Sequence, residues 1–227
     1  ADVRSWIVYS LFSARDEAVA TVLKALTSDP SDVVRSRAAQ RLSSPHYAKN
    51  PLVAEALLKA LKEDKSVEVR RRSAEAVGAM PLQATSEETL LGCLTDKDIG
   101  PHCALGLGRM GSPKGYSAIR DLLQRGETSA TLSPLFVWAI TDFQPRPFFQ
   151  LEVISGPLRK IVKSDKAQAG TRHYAVKSLV KLAQAVPDRK AATVAFLKPL
   201  ENDALLTHSI KPALEQLTAK PPAAPDK

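Results

Sequence analysis

The four histidines are the side chains best suited to chemistry in this sequence, and three of them fall in register with two arginines. Arg37, Arg72, His102, His173 and His208 each lie two residues before a small or apolar residue, namely Ala39, Ala74, Ala104, Ala175 and Ile210. Two residues turn about 200° around a helix, so side chains that far apart point in nearly opposite directions. If the alanines and isoleucine pack inward, the Arg/His positions form a column of cationic or protonatable groups facing out. Such a column suits an extended acidic ligand, either an acidic peptide or a nucleic-acid backbone. Neighbouring helices pack roughly 10 Å apart, too far for one metal ion to be shared along the column. No metal site and no cofactor are expected. The same pattern also arises where an exposed helical position simply tolerates Arg and His.

Other reactive constellations are missing from the sequence. It contains no Gly-rich phosphate loop, no His-Glu-x-x-His and no Gly-x-Ser-x-Gly, so catalysis is not expected. Cys93 and Cys103 are ten residues apart, which fits no zinc pattern. They read as two small buried hydrophobes. The alternative is a pair bridged across a helical hairpin in an oxidising compartment.

The elements that must position these groups are read from an internal repeat. Leu23 to Leu42 and Leu58 to Val77 match at a constant offset of 35 residues: Leu-Lys-Ala-Leu, Asp, Val-Arg, Arg and Ala coincide. A third copy runs from Leu91 to Gly111. Weaker copies run from Ile119 to Ile140, Leu158 to Leu179 and Phe196 to Leu214. Each holds two apolar stretches of helical spacing joined by a short polar turn. The second helix usually follows Asp or Ser, which can cap exposed N–H groups. Gly78, Gly108 and Gly111 fall where helices end. Such a pair cannot bury its apolar face alone, so copies must stack. Asp2-Val3-Arg4 aligns with the second helix of a copy. The prediction is an all-α superhelix of about six hairpins preceded by an unpaired N-terminal helix. It spans residues 1–218, with a Pro/Ala-rich tail over 219–227.

Asp64, Val69-Arg70, Ala74 and Val77-Gly78 together resemble the HEAT-repeat consensus, in particular the short bacterial type also seen in phycobilin lyases. The likeness is good in the first three copies and rests on helix spacing in the rest. It implies an α-solenoid whose second helices line a concave face. It also implies that an Asp in the inter-helix turn pairs with the Arg of a stacked repeat, a structural role for Asp29, Arg35, Asp64 and Arg70. Arg71 and Arg72 then stay available. Trp138 and Asp142, four residues apart, resemble a pair in HEAT-like alkylpurine DNA glycosylases. That likeness is two residues wide, and Trp6, the only other tryptophan, lies far away. Nothing beyond the repeat points to a lyase.

Residues 133–149 hold five of the twelve aromatic residues and three prolines, so the repeat must be irregular there. Phe136, Trp138, Phe143, Phe148 and Phe149 repair the core at that bend, or they form an aromatic anchor for a partner.

The chain has 227 residues, 44% hydrophobic and 25% charged, and no apolar run long enough to span a membrane. Its net charge is +8. The two ends are basic and the middle slightly acidic, which steers acidic partners. The expected function is a protein-interaction scaffold binding through the concave face, with nucleic-acid binding along the Arg/His column as the alternative. Trp6, Ile7 and Phe12 would have an uncovered flank, so a missing segment or another chain is expected over the N-terminal end. A start at Ala1 and a Pro/Ala tail suit an exported protein and a fragment equally, which leaves the compartment open between exported and cytoplasmic.

Overall fold

A single turn chemistry recurs along the chain. The carboxylate of Asp29 accepts the amide of Ser31 at 2.9 Å, Asp64 that of Ser66 at 2.8 Å, Asp96 that of Asp98 at 2.7 Å and Asp203 that of Leu205 at 2.9 Å. Each folds a tight turn two residues long and starts the next helix in register. Ser31 and Ser66 stand at the expected cap positions but make no side-chain cap bond. The Asp two residues earlier has already organised the turn, and the Ser66 hydroxyl donates instead to Asp32. Asn50 does cap its helix, accepting the Leu52 amide at 3.0 Å just ahead of Pro51.

The computed structural model describes residues 2–10, 16–125, 137, 139, 151–186 and 188–219. Among the described residues there are twelve α-helices and no strand. They are α1 (Asp2–Ser10), α2 (Asp16–Ser28), α3 (Asp32–Leu42), α4 (Pro51–Glu63), α5 (Val67–Val77), α6 (Ala84–Gly92), α7 (Gly100–Arg109), α8 (Pro113–Arg125), α9 (Leu151–Lys163), α10 (Ala169–Ala185), α11 (Arg189–Leu197) and α12 (Thr207–Thr218). The chain divides into two units, Ala1–Phe148 and Phe149–Lys227.

In the first unit α2/α3, α4/α5 and α6/α7 are antiparallel hairpins, and α8 follows α7. First helices are amphipathic: Val53, Leu57 and Leu61 form a fully buried stripe on α4 at intervals of four. Second helices are poor in large side chains. Ala38, Ala39, Ala74, Ala76 and Ala104 are fully buried, so α3, α5 and α7 pack closely on one another. The first helices α2 and α4 meet more loosely. The stack in this unit therefore closes toward its second-helix side.

Glycine permits the closest approach. A Cβ on Gly78 would lie 2.3 Å from the Gly106 Cα. Gly78 caps α5 at φ −64°, so space and not left-handed backbone excludes a side chain there. Gly111 does adopt positive φ, at 68°. Gly108 is the next-to-last residue of α7 and is buried.

The second unit holds two further hairpins, α9/α10 and α11/α12. Its core is built on Ile154, Leu158, Val162, Val176, Leu179, Leu197 and Ile210. Each such large aliphatic side chain, taken from water, contributes about 1.5–3 kcal/mol.

Cys93 and Cys103 form a disulfide, which corrects their reading as two buried thiols. α6 stops at Gly92, and the turn carries Cys93 back against the second turn of α7. The two Cα atoms are 6.2 Å apart, within bridging range.

Candidate interaction face

The Arg/His column begins on the second helices of the first unit. Ala39, Ala74 and Ala104 are fully buried, and the positions two before them point outward as the helical period requires. Their surroundings differ. Arg37 is exposed on α3 and donates to the Gln40 side chain at 3.2 Å. Arg72 is half-buried and ion-paired, to Glu68 at 2.8 Å and to Glu75 at 3.4 Å. His102 sits on α7 with Nδ1 2.7 Å from the other Glu75 oxygen.

Glu75 thus bridges α5 and α7, meeting Arg72 with one oxygen and His102 with the other. Burial raises the Glu75 carboxyl pKa. The His102 hydrogen bond and the nearby cations outweigh that and hold it below the ordinary value of 4.5. The carboxylate is charged at neutral pH, and together with Glu68 it offsets the positive charge of this stretch. Arg71 and Arg72 are therefore both engaged. Arg71 Nε donates to the Asp98 carbonyl at 2.7 Å and ties α5 to the next turn.

In the second unit His173 and His208 meet across one groove between α10 and α12, of about 450 Å³. His173 Nδ1 hydrogen-bonds the Ser209 hydroxyl, and His208 is exposed. Burial, with Lys177 nearby, lowers the His173 pKa below 6.5. His173, Lys177 and Lys181 descend α10 at intervals of four. His208, Pro212 and Gln216 descend α12 in the same way, and all six line the groove. Lys177 and Lys181 were not among the predicted residues. Their signal was the four-residue spacing from His173, which places all three on one face.

Within each unit, Asp/Arg contacts tie successive helical pairs together in a ladder. Arg35 Nε and Nη2 donate to the two Asp64 oxygens at 2.7 and 3.0 Å, with the side chains only 8% and 10% exposed. Its Nη1 donates to the Asp29 and Pro30 carbonyls. Arg70 repeats the second half of this pattern on the Asp64 and Lys65 carbonyls. Two rungs escaped the sequence reading. Arg4 pairs with Asp29 at 3.0 and 3.3 Å, and Arg172 pairs with Asp203 at 2.7 Å while donating to the Val162 carbonyl. Arg172 stands three residues before Ala175, whereas Arg35 and Arg70 stand four before their alanines. That slip of one hid the rung.

Phe136, Trp138, Phe143, Phe148 and Phe149, the candidate aromatic anchor, lie outside the described residues, as does Asp142. Of the N-terminal apolar residues, Val3 is 73% and Trp6 71% exposed on α1. Ile7 and Phe12 are outside the described side chains. Among the described residues no helix is long and apolar enough to cross a membrane. No group of three or more His, Cys, Asp or Glu side chains among them is placed to hold a metal ion.

Residues 54–132 match the family model for HEAT repeats. This stretch of the chain carries HEAT repeats. A chain of the Kap95:Nup1 complex is similar in fold, with a TM-score of 0.58 at 16% identity. That match covers 92% of this chain and 30% of the other. Human deoxyhypusine hydroxylase, solved in complex with glycerol, matches at 17% identity with a TM-score of 0.43, over 95% of this chain and 79% of that one. No curated protein matches the sequence. The HEAT repeats and the fold they share with the Kap95 complex make this an all-α HEAT-like superhelix.

Proposed function

We propose that this chain is an interaction scaffold that holds a protein partner on the face formed by its second helices. The observation that carries the reading is the outward placing of polar side chains on the second helices of each unit. Arg37, Arg72 and His102 follow one another on α3, α5 and α7, and His173 and His208 share a groove between α10 and α12. Small buried residues and the Arg/Asp ladder hold these helices together, which makes the face rigid. Repeat architecture alone does not assign a partner. The charge pattern favours protein over nucleic acid: Glu68 and Glu75 lie among the cations, where a phosphate backbone would be repelled. The exposed Val3 and Trp6 on α1 offer a second contact for the same or another protein chain.

A photo-crosslinking amino acid at position 37, on α3, and one at position 59, on the outer helix α4, test this in source lysate. The expected result is a protein adduct from position 37 that survives nuclease and is missing from position 59. Adducts from both positions, or from neither, would remove the second-helix face from consideration. An adduct lost with nuclease would put the nucleic-acid reading first.

A further inference from the structure

Among the cavities lined by described residues, the groove between α10 and α12 has the most one-sided chemistry. Lys177 and Lys181 stand on one wall, with His173 above them; His208 and the Gln216 amide stand on the other. Among the described residues no acidic side chain lines it. Its base is apolar, made by Val176, Val180 and Ala213, each nearly buried, and by the Pro212 ring. The long aliphatic stems of Lys177 and Lys181 extend the apolar base, and the Lys177 ammonium lies 5.7 Å from the centre of the Tyr174 ring.

The dimensions follow from the helix. From His173 to Gln184 the lining spans eleven residues of α10, about 16 Å at 1.5 Å per residue. An extended peptide rises about 3.3 Å per residue, so about five residues fit. Lys177 and Lys181 are one helical turn apart, about 6 Å. That matches the spacing of alternate side chains on one side of an extended peptide, about 6.6 Å. The intervening side chain points the other way, into the apolar base.

We infer that this groove binds an extended acidic–apolar peptide segment of a protein partner. Two alternate carboxylates meet Lys177 and Lys181 at the rim, and an aliphatic side chain between them rests on Val176, Val180 and Ala213. His208 and Gln216 receive the opposite edge of the peptide. Nucleic acid fits less well. Its phosphates would leave the apolar base unfilled, and among the described residues no Phe, Tyr or Trp lines the groove for a base to stack on. The inference rests on the scaffold reading above and gives it a ligand class.

The experiment is fluorescence anisotropy on the full chain, using a labelled nine-residue peptide with the core Asp-Leu-Asp-Leu-Asp. Two companion peptides carry Asn for Asp or Ser for Leu, and a labelled ten-nucleotide thymidine oligomer serves as the nucleic-acid probe. Saturable binding of the acidic–apolar peptide is expected, weakened about tenfold by Lys177→Glu and again by His208→Glu. Lys160→Glu, an exposed charge-matched change on α9, should shift affinity less than about twofold. Loss of affinity in both companion peptides is also expected. Circular dichroism confirms the fold of each variant, and the substituted side chains are exposed. The proposal is overturned by no binding, by binding indifferent to Lys177→Glu, or by an oligomer that binds as tightly as the peptide. Failure here with a surviving position-37 crosslink would discard this ligand and keep the scaffold. Failure of both would discard the scaffold as well.

Discussion

Replacing Asp64 by alanine should cost about 4 kcal/mol, roughly twice the cost of the same change at Asp29. The two residues occupy equivalent turns and make equivalent bonds, but their arginine partners differ in exposure: the Arg35 side chain is 8% exposed and that of Arg4 54%. Removing one member of a buried pair costs about 3–5 kcal/mol, because the other charge is left without compensation. Arg35 keeps the Asp29 and Pro30 carbonyls at 3.0 and 3.2 Å, which places its loss near 3 kcal/mol, at the low end of that range. The turn bond from the Ser66 amide adds about 1 kcal/mol. At Asp29 the exposed pair is worth about 1 kcal/mol or less and the Ser31 turn bond another 1. Urea unfolding of the wild-type chain and both variants gives the difference directly, provided the slopes agree. Adding Arg35→Met to Asp64→Ala should recover part of the loss, since the stranded guanidinium is then gone. Equal costs at Asp64 and Asp29, within about 0.5 kcal/mol, would refute the argument that burial sets the strength of each rung.

Three further outcomes follow from the structure. Gly78→Ala sets a methyl group against the Gly106 backbone and should destabilise the first unit by about 1–3 kcal/mol, read as a lower melting temperature. Reducing Cys93–Cys103, or changing both to Ser, should cost about 3 kcal/mol for a loop this short; without reductant, neither sulfur should react with iodoacetamide. Asp29, Asp64 and Asp203 have folded-state pKa values below the ordinary 3.8. The Arg4 hydrogen bond is the main cause at Asp29 and the Arg172 hydrogen bond at Asp203. At Asp64 burial pushes upward, and the Arg35 and Ser66 bonds outweigh it. The folded chain therefore binds fewer protons than the unfolded chain near pH 4. Stability from these groups is complete above about pH 5 and lost as pH falls through the folded values. The urea midpoint should drop between about pH 5 and pH 3, and less steeply in an Asp29→Asn/Asp203→Asn variant.

The repeat was legible because it is one-dimensional. A 35-residue offset between Leu23–Leu42 and Leu58–Val77, with apolar spacing of three and four, dictates paired helices whatever surrounds them. The outward direction of Arg37, Arg72 and His102 follows from the same period, as do the Asp turns. What those side chains touch does not. Glu75 meets His102 because Ala74, Gly78 and Gly106 let α5 and α7 approach closely, and a 27-residue separation carries no local signal of that contact. Cys93 and Cys103 looked like two packed thiols until the early end of α6 brought their Cα atoms within bridging distance. Arg172 joined the ladder one position out of register, which only its geometry on Asp203 reveals. The groove between α10 and α12 exists because two four-residue stripes on separate helices face each other. The sequence by itself determined which residues share a helical face, since that depends on local backbone geometry. Only the tertiary structure decided which faces meet, and with them which charges are offset.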